Sequence, residues 1–297
     1  MLRLKGVLPA VLTPLTAAMD IDAKLLVRHV EALRAQGADG AVLFGTTGEA
    51  ASFTVAERQK ALEQVVKEIA PKTLLVGTGC CAGPDTLALT RHAVELGCAG
   101  VLVMPPFFYK TVSDEGLYRT HADLIEGVGR AFHLYLYHFP QMSMMPLSHR
   151  LVERLTVAFP EVVAGLKDSS GSLDNMLTMA KDFPSLDIFS GSDRHFASLR
   201  KAGGAGCITA IANVITPLLA EIKDDPGDEE VQDVIERIRE DFEGRPLTAS
   251  LKALVALLSG EDGWRRVRPP LTPVEPADAV TLRRAIEGTG YRLPEFA

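Results

Sequence analysis

Val162-Val163-Ala164-Gly165-Leu166-Lys167-Asp168-Ser169-Ser170-Gly171 is the stretch from which the fold of this chain is read. Five apolar or small residues run straight into a lysine, an aspartate and a Ser/Gly turn. A short run without polar alternation reads as a strand buried on both faces, as in a parallel sheet with helices outside and a packed interior. The same pattern recurs on either side. Upstream lie Gly6 to Leu12, Gly40 to Phe44, Thr73 to Gly77, Gly100 to Met104 and Phe132 to Tyr137; downstream lie Leu186 to Ser190 and Gly206 to Thr209. With Val162 to Leu166 these make eight strand candidates, spaced by roughly 25 to 30 residues.

Amphipathic stretches fill the intervals. Leu25-Val27-His29-Val30-Leu33 and Ala61-Leu62-Val65-Val66-Ile69 place apolar residues at helical spacing. Thr54 before Val55-Ala56-Glu57 reads as a capping box, and Ser113 before Asp114-Glu115-Gly116 as a second helix start. Eight strand-helix units predict a closed (β/α)8 TIM barrel of the α/β class, since an open doubly wound sheet more often stops at five to seven strands. Asp224-Asp225-Pro226-Gly227-Asp228 breaks the pattern, so the barrel is expected over residues 1–224. A C-terminal helical extension over 225–297 should pack on it, with helices at Glu230 to Phe242, Thr248 to Leu258 and Ala277 to Glu287. The Pro-rich stretch Arg268-Pro269-Pro270-Leu271-Thr272-Pro273 connects the last two.

Of the 297 residues 47% are hydrophobic and 23% charged, the balance of an ordinary globular protein with one large core. A net charge of -7, with no basic run longer than Arg265-Arg266 or Arg283-Arg284, gives a phosphate backbone nothing to grip, so nucleic acid is not an expected partner. No apolar stretch approaches the ~18 residues of a membrane span. The start, Met1-Leu2-Arg3-Leu4-Lys5-Gly6, lacks the succession of a secretory leader, and a cytoplasmic location is expected. Cys80, Cys81, Cys98 and Cys207 have no zinc-site spacing and read as buried reduced thiols.

Active sites of such barrels lie at the C-terminal ends of the strands. Lys167 stands there. A lysine at the rim of an apolar barrel loses hydration, which favours the uncharged amine that attacks a carbonyl carbon. Tyr137, one strand over, could donate and accept the protons such chemistry moves. Gly45-Thr46-Thr47-Gly48-Glu49 offers backbone N–H groups and two hydroxyls as a seat for a carboxylate, with Glu49 itself a capping or buried structural group. Two other patterns lead nowhere. Gly77-Thr78-Gly79 through Gly83 is a loose dinucleotide fingerprint interrupted by Pro84, and His133, His138 and His195 lack any metal-ligand spacing.

Taken in order, Gly45-Thr46-Thr47-Gly48-Glu49, Tyr137 with Pro140, and Gly165-Leu166-Lys167-Asp168-Ser169-Ser170-Gly171 resemble the dihydrodipicolinate synthase and N-acetylneuraminate lyase family, from Gly6 to about Val214 with a looser match at Arg268-Pro269-Pro270-Leu271. The resemblance implies a homotetramer of barrels and class I aldolase chemistry on small-molecule 2-oxo acid and aldehyde substrates, without metal or cofactor. By it, Lys167 forms the Schiff base, Thr47 holds the pyruvate carboxylate, Thr46 links Tyr137 to solvent, and Gly191 and Ile208 line the pyruvate pocket.

The departures are informative. Where the synthases carry an arginine for the aldehyde's carboxylate, this chain has Met142. Phe108 or Tyr109 falls where the family places an interface tyrosine, and Cys81 where some synthases bind feedback lysine through asparagine. Ser169 and Asp193 match residues that contact substrate hydroxyls in sialate lyases. The expectation is therefore a lyase acting on a 2-keto-3-deoxy sugar acid or 4-hydroxy-2-oxo acid. A genuine 4-hydroxy-tetrahydrodipicolinate synthase comes second, and a non-catalytic regulatory barrel last.

Overall fold

The computed structural model describes residues 3–296; Met1, Leu2 and Ala297, the extremes of the two expected parts, lie outside the described residues. Eight parallel strands follow in chain order: β1 Gly6–Val7, β2 Ala41–Leu43, β3 Leu74–Gly77, β4 Gly100–Val103, β5 Leu134–His138, β6 Val163–Asp168, β7 Asp187–Ser190 and β8 Gly206–Cys207. Each pairs with its neighbours in sequence, and β1 pairs with β8, Gly6 opposite Gly206. The ring closes between the first two strands through a parallel bridge from Ala10 to Val42, with Val42 N donating to Pro9 O at 2.9 Å and Val11 N to Val42 O at 3.0 Å. The result is the (β/α)8 barrel that the eight-fold repeat demands.

Two apolar layers explain why the strands lack alternation. Outward residues such as Leu134, Leu136 and Leu166 belong to one continuous cluster under the helices, which also takes in Ile238, Leu254 and Ile286 of the C-terminal helices. Inward residues such as Leu8, Val42, Leu102, Tyr135, Phe189 and Ile208 fill the barrel. A strand between two such layers has no wet face to mark with polar side chains.

Asn213, fully buried at the start of the helix Ala212–Asp224, staples this closure. Its Nδ2 donates to the carbonyls of Ala10 and Ala210, both at 2.8 Å, and its Oδ1 accepts from Leu12 N at 3.2 Å and His29 Nε2 at 2.9 Å. Burial lowers His29 to about 4, so it sits neutral and donates to that oxygen. Gly77 and Gly79, part of the apparent dinucleotide fingerprint, serve the packing instead: a Cβ on Gly77 would lie 2.3 Å from Phe44 O, and one on Gly79 2.5 Å from Met104 O.

Strand ends move by a few residues from the sequence reading, and one shift matters. β6 runs through Lys167 and Asp168 rather than stopping at Leu166, because ladder bonds continue past the first polar side chain, with Lys167 opposite Phe189 and Asp168 opposite Ser190. After the helix Ala212–Asp224, three helices follow at Glu229–Asp241, Leu247–Ser259 and Pro276–Gly288. Of the cysteines, Cys98 and Cys207 are buried, whereas Cys80 is half-buried and Cys81 exposed. The expectation of four buried thiols fails at the loop after β3, where the chain leaves the core.

Candidate active site

Parallel pairing in register puts Tyr137 of β5 beside Lys167 of β6, so their side chains leave the sheet together on its inner face. Lys167 Nζ donates to Tyr137 OH at 3.2 Å and lies 4.3 Å from the ring centroid. Tyr137 is 4% exposed and Lys167 6%. Thr46 Oγ1 stands 3.4 Å from the same phenol oxygen, and Thr46 is exposed. A line of exchangeable protons thus runs from amine to phenol to hydroxyl to water.

The turn carrying Thr46 and Thr47 is held in an unusual shape. Phe44 and Glu49, which bracket it, both have left-handed backbone, with φ of +54° and +57°. Among the described residues the N–H groups of Thr46, Thr47 and Gly48 donate to no backbone or side-chain oxygen, and they are available to a carboxylate. The turn leads into the short 3-10 helix Ala50–Ser52 rather than directly into an α-helix. Thr47 is buried at 8%.

Glu49 is a buried structural carboxylate. Its Oε1 accepts from Lys252 Nζ at 2.6 Å, with neither side chain exposed, and its Oε2 accepts from Arg268 N at 3.1 Å. Arg268 goes on to donate to Met19 O and Ser52 O, pairs with Glu57, and lies over the Phe53 ring. The Glu57 carboxyl falls to about 2 through this hydrogen bond and its capping role at Thr54, though burial opposes the shift. The C-terminal segment therefore ties down the turn that bears Thr46. Nothing in the repeat pattern pointed to Lys252, but a signal was present: a lone charged residue in the helix Leu247–Ser259, most of it buried, has to find a partner.

The other expected site residues are spread more widely. Ile208, fully buried, packs in the barrel interior with Tyr137. Gly191 donates its N–H to Asp168 O at 2.7 Å, and a Cβ there would strike Ser169 Oγ at 2.0 Å. Asp168 itself is taken up by Ser170 N and Asn175 Nδ2. Asp193 is 1% exposed, 4.0 Å from Arg239, and one of its oxygens has no partner; burial pushes its carboxyl up while Arg239 and Lys167 pull the other way. Tyr109, 72% exposed, packs edge-on to Phe108 and lines a cavity of about 670 Å3 with Cys80 and Cys81, apart from Tyr137.

A second cavity, of about 400 Å3, opens at Thr46 and Tyr137. Met104, Phe107, Met142, Pro270 and Leu271 are on its wall, whereas Lys167, Thr47, Ser169, Gly191, Asp193 and Ile208 are not. Met104 and Phe107 went without a site role in the sequence reading, and Met142, Pro270 and Leu271 entered only through the family resemblance, because apolar loop residues carry no periodic mark.

A closed (β/α)8 barrel that brings a strand-borne lysine and tyrosine into contact at its C-terminal mouth defines the class of lysine-dependent barrel lyases. The profile of the dihydrodipicolinate synthetase family matches residues 3–289, so the chain belongs to that family of class I, pyruvate-dependent aldolases and is a lyase. It is 32% identical over 288 residues to an uncharacterized DapA-like lyase of Chloroflexus aurantiacus, covering 95% of this chain and 96% of that one. It is 30% identical to the 4-hydroxy-tetrahydrodipicolinate synthase of Agrobacterium fabrum, over 96% and 98% of the two chains. The crystal structure of dihydrodipicolinate synthase from Agrobacterium tumefaciens superposes with a TM-score of 0.90 at 30% identity, over 96% of this chain and 99% of that one. No helix among the described residues is long and apolar enough to cross a membrane.

Proposed function

We propose that Lys167 is the Schiff-base nucleophile of a lyase that makes or cleaves a 4-hydroxy-2-oxo acid, with pyruvate as the 2-oxo acid half. The observation that carries this reading is the 3.2 Å contact of Lys167 Nζ with Tyr137 OH, itself 3.4 Å from Thr46 Oγ1. The amine adds to the C2 carbonyl, and loss of water gives the imine. In the cleavage direction the C4 hydroxyl gives up its proton, the C3–C4 bond breaks, and its electron pair moves to the enamine as the aldehyde departs. A proton returns to C3, and water releases pyruvate from Lys167. Tyr137 and Thr46 carry the protons in both halves.

Thr47 and the free N–H groups of its turn hold the pyruvate carboxylate in this reading, and Ile208 and Gly191 shape the floor. The relatives named as synthases support a second reading, condensation with aspartate semialdehyde. Against it stands Met142, 52% exposed at the cavity where an arginine would be needed. The sugar-acid reading rests on Ser169 and Asp193; these, like Lys167, are off the cavity wall, and Asp193 is 1% exposed. Assembly of copies, up to the tetramer, belongs to the same proposal: Phe108 and Tyr109, 71% and 72% exposed, are the aromatic surface it would cover.

Borohydride reduction in the presence of pyruvate, followed by peptide mass mapping, tests the reading. A reduced pyruvyl adduct on Lys167 is expected. A protein that stays unmodified, or is modified on another lysine, would sink it.

A further inference from the structure

We infer that the aldehyde half of the reaction is apolar: the substrate is a 4-hydroxy-2-oxo acid whose C4 substituent is an alkyl or aryl group. This rests on the Schiff-base reading above and deepens it. The cavity that opens at Tyr137 and Thr46, about 400 Å3, lies on the phenol side of Lys167, whose own side chain is not on its wall, and it offers room for a group attached to C4 beside the residues proposed to transfer the proton. Met104, Phe107, Met142, Pro270 and Leu271 give it a predominantly hydrocarbon wall. Among the described residues no lysine, arginine or histidine lines it.

The one carboxylate on that wall, Glu49, is turned inward to Lys252 Nζ and Arg268 N, and its side chain is closed off from solvent and from a sugar hydroxyl. Thr46 is engaged with Tyr137, which leaves Ser52 and Thr248 as the other side-chain hydroxyls on a wall that is otherwise largely hydrocarbon. A second carboxylate or a polyhydroxylated chain would shed its water in this cavity and find few partners, whereas an alkyl chain or aromatic ring gains by leaving water. In the forward direction C3 of the pyruvyl enamine bonds to the aldehyde carbon, whose oxygen takes a proton from Tyr137 and becomes the C4 hydroxyl. The water lost in forming the imine is returned on hydrolysis.

The test is a series of acceptors offered with pyruvate to the intact protein: acetaldehyde, butanal, hexanal and benzaldehyde against glyceraldehyde and aspartate semialdehyde. kcat/KM should rise roughly fourfold per methylene through the aliphatic series. Hexanal and benzaldehyde should exceed both polar aldehydes by about tenfold or more. Met142→Arg, at a half-exposed position, and Leu271→Asn should each cut the hexanal-to-aspartate-semialdehyde ratio by about tenfold. A flat series, a preference for the polar aldehydes, or variants that leave the ratio unmoved would overturn the inference. Borohydride trapping with pyruvate alone is run on the same preparation. An adduct on Lys167 with a flat series removes only the acceptor assignment, while no adduct removes the Schiff-base reading and this inference together.

Discussion

Lys167 and Lys252 are both withdrawn from water, at 6% and 0% exposure, yet they sit in opposite electrostatic settings. Lys252 faces the carboxylate of Glu49 at 2.6 Å. Burial alone pushes its ammonium toward the neutral form, and the counter-charge pulls it back. Lys167 faces a phenol oxygen at 3.2 Å and the ring beneath it. That partner offers a hydrogen bond without a formal counter-charge, and it is itself an acid-base group; the buried Asp193 carboxyl feels Lys167 but forms no ion pair with it among the described residues. The contrast teaches that burial does not make a lysine chemical; the partner does. One amine is a structural bolt, and the other stands where a carbonyl carbon could meet it.

The sharpest way to break the comparison is to remove each amine in turn. Lys167→Arg should cost on the order of 10^3-fold or more in kcat/KM and abolish the borohydride adduct, with little change in thermal stability. Lys252→Met should do the reverse, costing about 4 kcal/mol in denaturant unfolding because Glu49 is left buried and unpaired. A double variant with Glu49→Gln should recover part of that loss. If Lys252→Met instead erased the adduct from folded protein, the roles drawn here would be wrong.

His29 is a third buried base, and it sharpens the rule. Its partner is the neutral oxygen of Asn213, and burial lowers it to about 4. The unfolded chain takes up this proton near 6.5 and the folded chain does not. The stability held in neutral His29 is thus complete above pH 6.5 and is lost as pH falls toward 4. The amount is about 3 kcal/mol, and unfolding midpoints measured across that range should fall less steeply for His29→Gln. The smallest effect is expected at Tyr137→Phe. This variant should still form the adduct, more slowly, with turnover down roughly 100-fold. An unchanged rate would transfer the proton relay to some other group.

The repeat of unalternated apolar runs was enough to give eight strands, because a strand buried on both faces must be apolar throughout. The Lys167 and Tyr137 pair was legible for a related reason: both stand where a run of core residues gives way to the chemistry of the barrel mouth. Apolarity alone misplaced the end of β6, since backbone pairing does not consult the side chain. It also missed the clamp of Lys252 and Arg268 on the Thr46 turn, which joins residues about two hundred positions apart. The loop at Cys80 and Cys81 was misread because exposure depends on what lies across from a loop, not on its own sequence.

The sequence by itself determined the barrel and its C-terminal helical part, which follow from local periodicity, and it carried the family motifs and singled out Lys167 as the proposed reactive amine through residue types at strand ends. Only the tertiary structure decided which buried lysine is paired with a carboxylate, where Asp193 and Tyr109 stand, and what lines the cavity beside Tyr137. Those are matters of distance between segments remote in the chain, and distance is fixed by packing rather than by any single stretch of residues.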